Sequence, residues 1–405
     1  MLVYTLNWGG NYTGSISRII RDIEDSLKQD EVTFVHYYES GEPGKDNYFR
    51  LSGWLMSHLY YYWAHFTGNR YGTGTIPAKK FINAVKQGRP DVVHIHCPNG
   101  FSINIYMVLD YLKKNRIPTV VTNHAEFFYT GNCAYAIDCT QFIHGCQKCP
   151  DHRGQGKSIL FDRSRYTWKR MKKAFEGFEK IAMVGVSPWS VSRIGMSDIT
   201  SGLSTILVEN GVDCSVFRRI EEPGEFAVGD DRILILQVTS SFTLDEDDLK
   251  GGRFFWRLAS KFADDNRFLF IVAGEYRLGD ADIPKNMKFL GVVGKEDLAR
   301  LYSACDLTVT TGKRETFGMT CAESLCCGTP VAGFINGGSE SISIARYAEF
   351  VEYGDTDALK EIIYKTKKKD TELSFEIEKE ASKKYAIKNM SDRYMEIYKE
   401  ISGVL

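Results

Sequence analysis

Residues 307–334, LTVTTGKRETFGMTCAESLCCGTPVAGF, are the part of the chain whose pattern is most informative about its fold. It begins with a short apolar run, crosses a loop containing glycines and charges, continues with a helical pattern and ends in a second apolar run. A strand, a loop, a helix and a further strand in this order predict one parallel βαβ unit. The loop then lies at the carboxyl edge of the sheet, where open parallel sheets bind their ligands.

The same alternation continues through the rest of the chain. Nearly continuous apolar strands separated by amphipathic helices are typical of parallel sheets buried on both faces. The pattern restarts near Ser204, and 405 residues exceed one ordinary core. We therefore predict an α/β protein with two Rossmann-like, doubly wound parallel-sheet domains facing across a cleft. They cover residues 1–203 and 204–384, and residues 385–405 form a helix that packs back on the N-terminal domain.

Composition and charge limit the class of protein. The chain is 43% hydrophobic and 25% charged, as in globular proteins. It has neither a membrane-spanning apolar run nor the basic start of a signal peptide, so we expect a cytoplasmic protein whose ten cysteines are not a disulfide framework.

The two halves of the chain differ in charge. Residues 1–203 carry 24 Lys and Arg against 17 Asp and Glu, whereas residues 204–405 carry 27 against 35. The basic half is expected to meet an anionic partner, either a phosphorylated acceptor or an anionic membrane surface. Nucleic acid is not expected, because the chain has no recognition motif and its overall charge is not basic.

The loop and helix inside residues 307–334 suit a sugar diphosphate. The helix is expected to begin at Gly318 or Met319, where free backbone amides attract phosphate. Glu323 follows about one turn later, and its carboxylate can accept two hydroxyl hydrogen bonds, as from a ribose. Glu315 precedes the helix at the level of a bound sugar. Either glutamate taken alone would be interpreted as an ordinary surface residue.

Three further positions could approach phosphate. Gly10 and Gly14 follow the first strand and would let the backbone come close to a ligand, although a tight turn explains them equally well. Lys250 stands before two glycines at a helix start, where it could reach a phosphate or simply be a solvated lysine.

Histidines end two of the expected strands. His124 lies at the carboxyl edge of the first sheet, where it could bond a sugar hydroxyl or polarise a group near neutral pH. His94 and His96 alternate with apolar residues in DVVHIH and are interpreted as core or rim residues.

The segment 129–156 does not follow the alternation. A long irregular segment in a compact domain is usually functional or held by a metal. Its four cysteines suit a structural zinc site: Cys133, Cys139, Cys146 and Cys149. His144 or His152 could replace one ligand. Disulfides, which a reducing compartment disfavours, and free cysteines are the alternatives.

These motifs resemble those of retaining glycosyltransferases of family four, which have the GT-B fold. The second half carries VENGVD at 208–213, KGG at 250–252 and the span 289–333, in which seven residues separate Glu315 from Glu323. The first half carries similar stretches: GGNYTGSISRI, DVVHIHCPNG, TVVTNH and GVSPW. The cysteine-rich segment makes the chain most similar to exopolysaccharide and colanic-acid-type transferases.

The resemblance implies a role for each candidate residue. Glu323 would bind the ribose of the donor. The donor sugar and the diphosphate would be held by Glu315 and by the backbone amides of Phe317, Gly318, Met319 and Thr320. Lys250 would neutralise the leaving diphosphate, and His124 would contact the donor sugar. Gly10 and Gly14 would let the N-terminal loop approach the phosphates.

Two positions depart from the family pattern. Leu244 stands where the family usually has an arginine, about six residues before the lysine of the KG motif. This leaves Arg253 as a guess for the second cation. Ala125 stands where the subgroup commonly has an aspartate after the histidine, so the contacts near His124 are expected to differ.

The expected activity is retaining transfer of a hexosyl group from a UDP- or GDP-linked donor to a saccharide acceptor, carried on a lipid, in capsule or exopolysaccharide biosynthesis. The Asp-x-Asp strings at 245–247 and 280–282 are interpreted as solvated loops, so no catalytic metal is expected. The alternatives are a sugar-nucleotide epimerase or hydrolase on the same fold, and a non-catalytic nucleotide-sugar-binding protein.

Residues 54–66, WLMSHLYYYWAHF, are unusually aromatic, and residues 163–173 add six Lys and Arg. Together they could dock on the inner face of the cytoplasmic membrane or hold a lipid-diphosphate acceptor. The alternative is an ordinary buried helix beside a solvated basic one. We expect weak association with anionic vesicles.

Overall fold

A computed structural model describes residues 1–10, 14–42, 46–154, 158–226 and 231–403. The chain forms two compact units, one of residues 1–209 with 390–405 and one of residues 210–389. Each unit contains one sheet, and every strand pair in both sheets is parallel.

The first unit is built on a seven-stranded sheet of order β3-β2-β1-β4-β5-β6-β7. Its strands are β1 Leu2–Asn7, β2 Thr33–Tyr38, β3 Tyr48–Arg50, β4 Val92–Ile95, β5 Thr119–Asn123, β6 Ile181–Gly185 and β7 Ser204–Leu207. Its helices are α1 Gly14–Leu27, α2 Trp54–Thr67, α3 Thr75–Gly88, α4 Ile105–Lys114, α5 Phe127–Thr130, α6 Ser164–Phe175 and α7 Pro188–Met196. Every residue of β4, β5 and β6 is buried, as expected for a sheet covered on both faces.

The second unit has a six-stranded sheet of order β10-β9-β8-β11-β12-β13. Its strands are β8 Ile233–Thr243, β9 Phe268–Arg277, β10 Met287–Gly291, β11 Leu307–Thr310, β12 Val331–Phe334 and β13 Ala348–Val351. Its helices are α8 Gly252–Lys261, α9 Lys295–Ala304, α10 Met319–Cys326, α11 Gly338–Ile342, α12 Thr356–Lys365 and α13 Thr371–Tyr385. The strand order reverses between β8 and β11, which creates a crevice at their carboxyl ends.

The last helix, α14 Ile387–Ser402, joins the first unit from residue 390 onward. The Tyr398 hydroxyl lies 2.7 Å from His94 Nδ1, and the Tyr394 hydroxyl lies 2.9 Å from Thr122 Oγ1. Both tyrosines are fully buried, so α14 is fixed to the first sheet by hydrogen bonds as well as by apolar contact.

The prediction of two doubly wound α/β domains is confirmed by the sheets of seven and six parallel strands. One strand lies elsewhere than the sequence pattern suggests. Residues 204–207 were expected to open the second domain, but they pair with β6 and complete the first sheet as its edge strand β7. The apolar pattern of an edge strand does not reveal its partner, because pairing is decided by where the preceding helix returns the chain.

The aromatic segment forms α2, but it is not an ordinary buried helix. Only Ser57 and Ala64 of α2 are buried. In the described ranges, no helix is both long and apolar enough to cross a membrane.

We predict that Tyr398 is a main anchor of α14. Tyr398→Ala should lower the free energy of unfolding by about 3–5 kcal/mol, because it removes a fully buried ring. Tyr398→Phe should cost about 1–3 kcal/mol by leaving a buried His94 nitrogen without its partner. Urea unfolding followed by circular dichroism measures both, with the exposed Lys399→Ala as the control. Equal midpoints for Tyr398→Ala and Lys399→Ala would contradict this assignment.

Candidate functional site

The backbone of Glu315 is fixed by a neighbouring turn. The Glu315 N–H donates to the Asn336 carbonyl oxygen at 3.2 Å, and the Gly338 N–H donates to the Glu315 carbonyl oxygen at 2.8 Å. The turn itself is capped by Glu340, whose carboxylate accepts the Gly337 N–H at 2.8 Å and the Asn336 N–H at 3.0 Å. Glu315 therefore leaves the strand end from a backbone that is held on both sides.

Glycine is required where this turn meets the start of α10. Gly318 caps α10 at φ 93°, and a Cβ at this position would lie 2.6 Å from Ser339 Oγ and 3.0 Å from Ser339 Cα. A Cβ on Gly338 would lie 2.5 Å from the Phe317 nitrogen. The two glycines let the loop before α10 pack directly on the turn before α11.

The start of α10 can accept an anion. The N–H groups of a helix's first turn have no partner within the helix, and they carry the positive end of its dipole. In α10 these groups include the N–H groups of Met319 and Thr320, next to those of Phe317 and Gly318. The first turn of α10 contains no acidic side chain. The arrangement therefore suits a phosphate or diphosphate.

Lys250 is brought to the same edge by a second close approach. Gly251 adopts φ 70°, and a Cβ there would collide with the Thr311 carbonyl oxygen. The Thr311 hydroxyl donates to the Gly251 carbonyl oxygen at 2.8 Å, and the Lys313 N–H donates to the Leu249 carbonyl oxygen at 2.8 Å. These bonds join the loop after β8 to the loop after β11.

The two loops carry an ion pair between them. Lys250 Nζ donates to Glu315 Oε1 at 2.7 Å. The two side chains are 37% and 27% exposed, so solvent weakens their attraction and the pair adds little to stability. Partial exposure also leaves both charged groups within reach of a ligand. Two residues that are 65 positions apart thus meet at the point where the strand order reverses.

Glu323 occupies a different environment on α10. It is 5% exposed, and the Tyr302 hydroxyl donates to its Oε2 at 3.4 Å. Burial, together with the charge of Glu323, holds the pKa of Tyr302 well above its ordinary value. Tyr302 therefore stays protonated and orients the carboxylate.

The structure does not support Arg253 as the second cation for a diphosphate. Arg253 Nη1 pairs with Glu246 Oε1 at 2.9 Å, and its guanidinium lies 4.9 Å from the centre of the Phe254 ring. Leu244 packs against the apolar core of the second unit. The Asp-x-Asp residues are exposed loop residues, as the sequence suggested: Asp245, Asp247, Asp280 and Asp282.

Sequence reasoning did not identify Arg314 and Glu340. Arg314 Nη1 donates to the Asn336 carbonyl oxygen at 3.3 Å, which adds a third bond between the Glu315 loop and its supporting turn. Glu340 stands three residues after Gly337, a spacing typical of a capping box. That spacing could have identified Glu340, whereas nothing in the sequence distinguishes Arg314 from a surface arginine.

The glycine loop of the first unit is only partly described. Gly10 follows β1, and a Cβ there would lie 3.3 Å from the Tyr38 ring. Gly14 begins α1 at φ 77°, and no described residue lies within 4 Å of its Cβ position. Residues 11–13 between them lie outside the described residues, so the role of this loop stays a prediction.

His124 belongs to a stack of buried imidazoles at the carboxyl ends of β4 and β5. His96 Nδ1 lies 3.2 Å from His124 Nε2, and the two rings are stacked with centres 5.5 Å apart. Burial lowers the pKa of His124 from 6.5 to about 4, and it holds the pKa values of His96 and His94 well below 6.5. His124 is therefore neutral near pH 7 and suited to hydrogen bonding. The interpretation of His94 and His96 as buried residues is confirmed.

Glu39 is a further buried acid that the sequence did not reveal. It follows β2, and its carboxylate accepts the Gly100 N–H at 3.1 Å, the Ser102 N–H at 2.7 Å and the Ser102 hydroxyl at 2.8 Å. Burial raises the pKa of Glu39 to about 7. Glu39 thus holds the loop after β4.

The zinc site expected at the four cysteines stays a prediction. Among the residues the structure describes, no group of three or more His, Cys, Asp or Glu side chains is placed to hold a metal ion. The four cysteines are free thiols, and the Cys146 thiol donates to the Thr130 carbonyl oxygen at 3.8 Å. Burial, together with the neighbouring thiols of the same set, raises the pKa of Cys146 to about 12 and holds that of Cys133 well above its ordinary value.

The two histidines proposed as replacement ligands have other neighbours. His144 Nδ1 lies 3.4 Å from Asp198 Oδ2, and His152 Nδ1 lies 3.3 Å from the Cys149 carbonyl oxygen.

Known proteins match the chain in two ways. Residues 250–386, about a third of the chain, match the family described as glycosyl transferases group 1. This span contains Lys250, Glu315 and Glu323. WcaC of Escherichia coli K12, whose name assigns it to colanic acid biosynthesis, is 24% identical over 129 residues, which are 31% of this chain and 32% of WcaC. The chain matches about a third or less of the length of such curated relatives.

Solved structures match over the whole length. Sucrose-phosphate synthase from Thermosynechococcus elongatus covers 100% of both chains at 14% identity, with a TM-score of 0.67. Anabaena HepE in complex with UDP covers 99% of this chain and 100% of its own at 15% identity, with a TM-score of 0.65. At such identities the likeness shows the fold alone. The predicted GT-B fold is thus confirmed, and the family match supports the resemblance to glycosyltransferases.

We predict that Gly318 cannot be replaced without cost. Gly318→Ala should lower the free energy of unfolding by about 1–3 kcal/mol, because the new Cβ meets Ser339 while φ is positive. Gly279→Ala is the matched control, since Gly279 also has positive φ (59°) but has no neighbour within 4 Å of its Cβ position in the part of the chain that the structure describes. Chemical denaturation compares the two, and equal losses would show that the contact with Ser339 is immaterial.

We also predict that His124 does not titrate near neutrality. Because burial places its pKa at about 4, its imidazole should stay neutral from about pH 8 to about pH 5.5. Histidine-labelled NMR measures this directly, with His124→Gln to assign the resonance. A titration midpoint near 6.5 would contradict the buried geometry.

Proposed function

We propose, from the match of residues 250–386 to the family of glycosyl transferases group 1, that the chain is a retaining glycosyltransferase. It moves a hexosyl group from a nucleotide-diphosphate sugar to a saccharide acceptor carried on a lipid, in surface polysaccharide biosynthesis. The observation that carries the proposal is the Lys250–Glu315 pair, whose atoms lie 2.7 Å apart in the same unit as the open N-terminus of α10.

The donor diphosphate is assigned to the start of α10 in this proposal. The amides of Phe317, Gly318, Met319 and Thr320 hold its oxygens, and Lys250 supplies the positive charge. Glu315 bonds the hydroxyls of the transferred sugar, and Glu323, oriented by Tyr302, bonds the ribose. A UDP-linked donor is the first choice, since solved structures of HepE contain UDP and UDP-glucose, with GDP-linked sugars as the alternative.

The charge arrangement explains how the leaving group is stabilised. Before the donor binds, Glu315 holds Lys250 at the edge of the sheet. A bound diphosphate competes for the same ammonium group and gains negative charge as the sugar departs. A cation that is already in place stabilises this developing charge without reorganisation.

Retention follows if the acceptor attacks from the face that the diphosphate leaves. The acceptor oxygen forms a bond to the anomeric carbon while the bond between that carbon and the diphosphate oxygen breaks. The acceptor proton passes to the departing diphosphate oxygen. No protein nucleophile takes part in this scheme, and the chain contributes positioning and charge stabilisation.

The residues of the first unit complete the proposal. His124, as a neutral imidazole, hydrogen-bonds the donor sugar, and the loop carrying Gly10 and Gly14 approaches the phosphates. The scheme requires no catalytic metal. The lipid-linked acceptor places the enzyme at the cytoplasmic face of the membrane as a peripheral protein. The name of WcaC supports polysaccharide biosynthesis as the setting.

We predict that transfer depends on Lys250 and Glu315. Lys250→Met and Glu315→Gln should each reduce turnover by about 100-fold or more, because each removes a group that acts on the departing donor. The measurement is transfer of labelled sugar from UDP- and GDP-hexoses to lipid-linked acceptors extracted from membranes. Lys285→Met is the matched control, since Lys285 is an exposed lysine that pairs with Asp264 on the surface.

Two results would oppose the proposal. Undiminished transfer by Glu315→Gln would remove its central residue. Release of free sugar or epimerised donor at the same rate with and without acceptor would favour the hydrolase or epimerase instead. A thermal-shift screen with UDP and GDP tests binding separately from turnover, since a ligand of the native state raises its stability.

A further inference from the structure

Helix α2 exposes most of its circumference as apolar surface. Only Ser57 and Ala64, seven residues apart on one stripe, are buried. Eight large apolar side chains of α2 are at least 41% exposed: Trp54, Leu55, Met56, Leu59, Tyr61, Tyr62, Trp63 and Phe66. At 3.6 residues per turn they cover roughly 220° of the helix. A monomeric protein rarely leaves so large an apolar surface without a function.

A second exposed apolar segment adjoins α2. The Ile159 N–H donates to the His65 carbonyl oxygen at 2.8 Å, which joins residues 159–161 to the end of α2. Ile159, Leu160 and Phe161 are each more than 50% exposed. The apolar surface is therefore continuous from α2 to the segment that precedes α6.

Basic side chains border this surface. The Arg163 guanidinium lies 5.9 Å from the centre of the Phe161 ring and 5.8 Å from that of Tyr166. Helix α6 continues with further cations on its exposed positions, among them Arg165 and Lys169. Residues 158–175 carry six Lys and Arg against one acidic residue, and α2 carries no Lys, Arg, Asp or Glu. We define α2, residues 159–161 and the start of α6 as the aromatic–basic surface.

We propose that the aromatic–basic surface docks on an anionic lipid bilayer, with the rings of α2 in the headgroup region and the cations of α6 on anionic headgroups. Tryptophan and tyrosine favour that depth, because their rings are apolar and carry one polar atom. Each cation near an anionic bilayer adds attraction that salt screens. The proposal gives the expected membrane association a definite surface, and it rests on the geometry of the first unit, whatever sugar the enzyme transfers.

A second copy of the chain is a poorer occupant than lipid. A symmetric dimer would set the same surface against itself and would bring the basic starts of two α6 helices together. Its partner helix would also cover only one stripe of α2, whereas the exposed arc spans more than half of the helix. A bilayer surrounds an inserted helix, and its anionic headgroups complement the cations.

The experiment is flotation of the full chain with two vesicle preparations, pure phosphatidylcholine and phosphatidylcholine with about 30% phosphatidylglycerol. At low salt the protein should float with the anionic vesicles at least about fivefold better than with the neutral ones, and high salt should reduce the difference. Equal recovery with both preparations at low salt overturns the proposal.

Variants identify the surface. Leu59→Ser with Trp63→Ser should weaken flotation by about tenfold or more, because two exposed apolar anchors are lost. Tyr276→Ser with Ile283→Ser is the matched control, since these residues of the second unit are 46% and 50% exposed. Arg165→Gln with Lys169→Gln should remove most of the preference for anionic vesicles.

Two further outcomes overturn the proposal. The first is unchanged flotation of the α2 variant. The second is a lipid-free dimer of the wild type that the α2 variant abolishes, which would assign the surface to a second copy. UDP-induced thermal stabilisation, measured on the same variants, keeps this test apart from the proposed function. A variant that loses vesicle binding but keeps its UDP response affects only the docking surface.

Discussion

The geometry of the candidate site depends on one contact, the close approach of the loop after β8 to the loop after β11. Gly251 makes this approach possible, since any side chain there would collide with the Thr311 carbonyl oxygen. Once the loops meet, Lys250 and Glu315 lie within hydrogen-bonding distance at the point where the strand order reverses. The sheet topology creates the crevice, and Gly251 lets the two loops come close enough for the charged groups to pair.

Charge and neutrality are divided between the two units. The second unit offers a partly exposed ion pair and a helix N-terminus, both of which respond to an anion. The first unit offers buried imidazoles whose pKa values burial has lowered, so that His124 and His96 present hydrogen-bonding groups without charge. The charged groups of the second unit suit an anionic ligand, whereas the neutral imidazoles of the first unit suit an uncharged one.

The first unit also has an outer surface of unusual chemistry. In helix α2 only Ser57 and Ala64 are buried, and most of the large apolar side chains are exposed. The sequence composition allowed two interpretations, a buried helix or a docking helix. The structure excludes the buried helix, because protein covers only one stripe of α2 and leaves its other apolar sides exposed.

The two parallel α/β units and the loop and helix around Glu315 and Glu323 were predictable from the amino-acid sequence, because strand and helix periodicities and turn glycines are local properties. The sequence could not place β7, whose partner is set by the path of the chain, nor identify Glu39 and Arg314, whose roles arise from distant backbone groups. The spacing of four cysteines suggests zinc, and the structure leaves the four partly exposed thiols near enough to influence one another, so zinc stays a prediction. Contacts between residues far apart in sequence, such as Lys250 with Glu315, exist only once the sheet has set their distance.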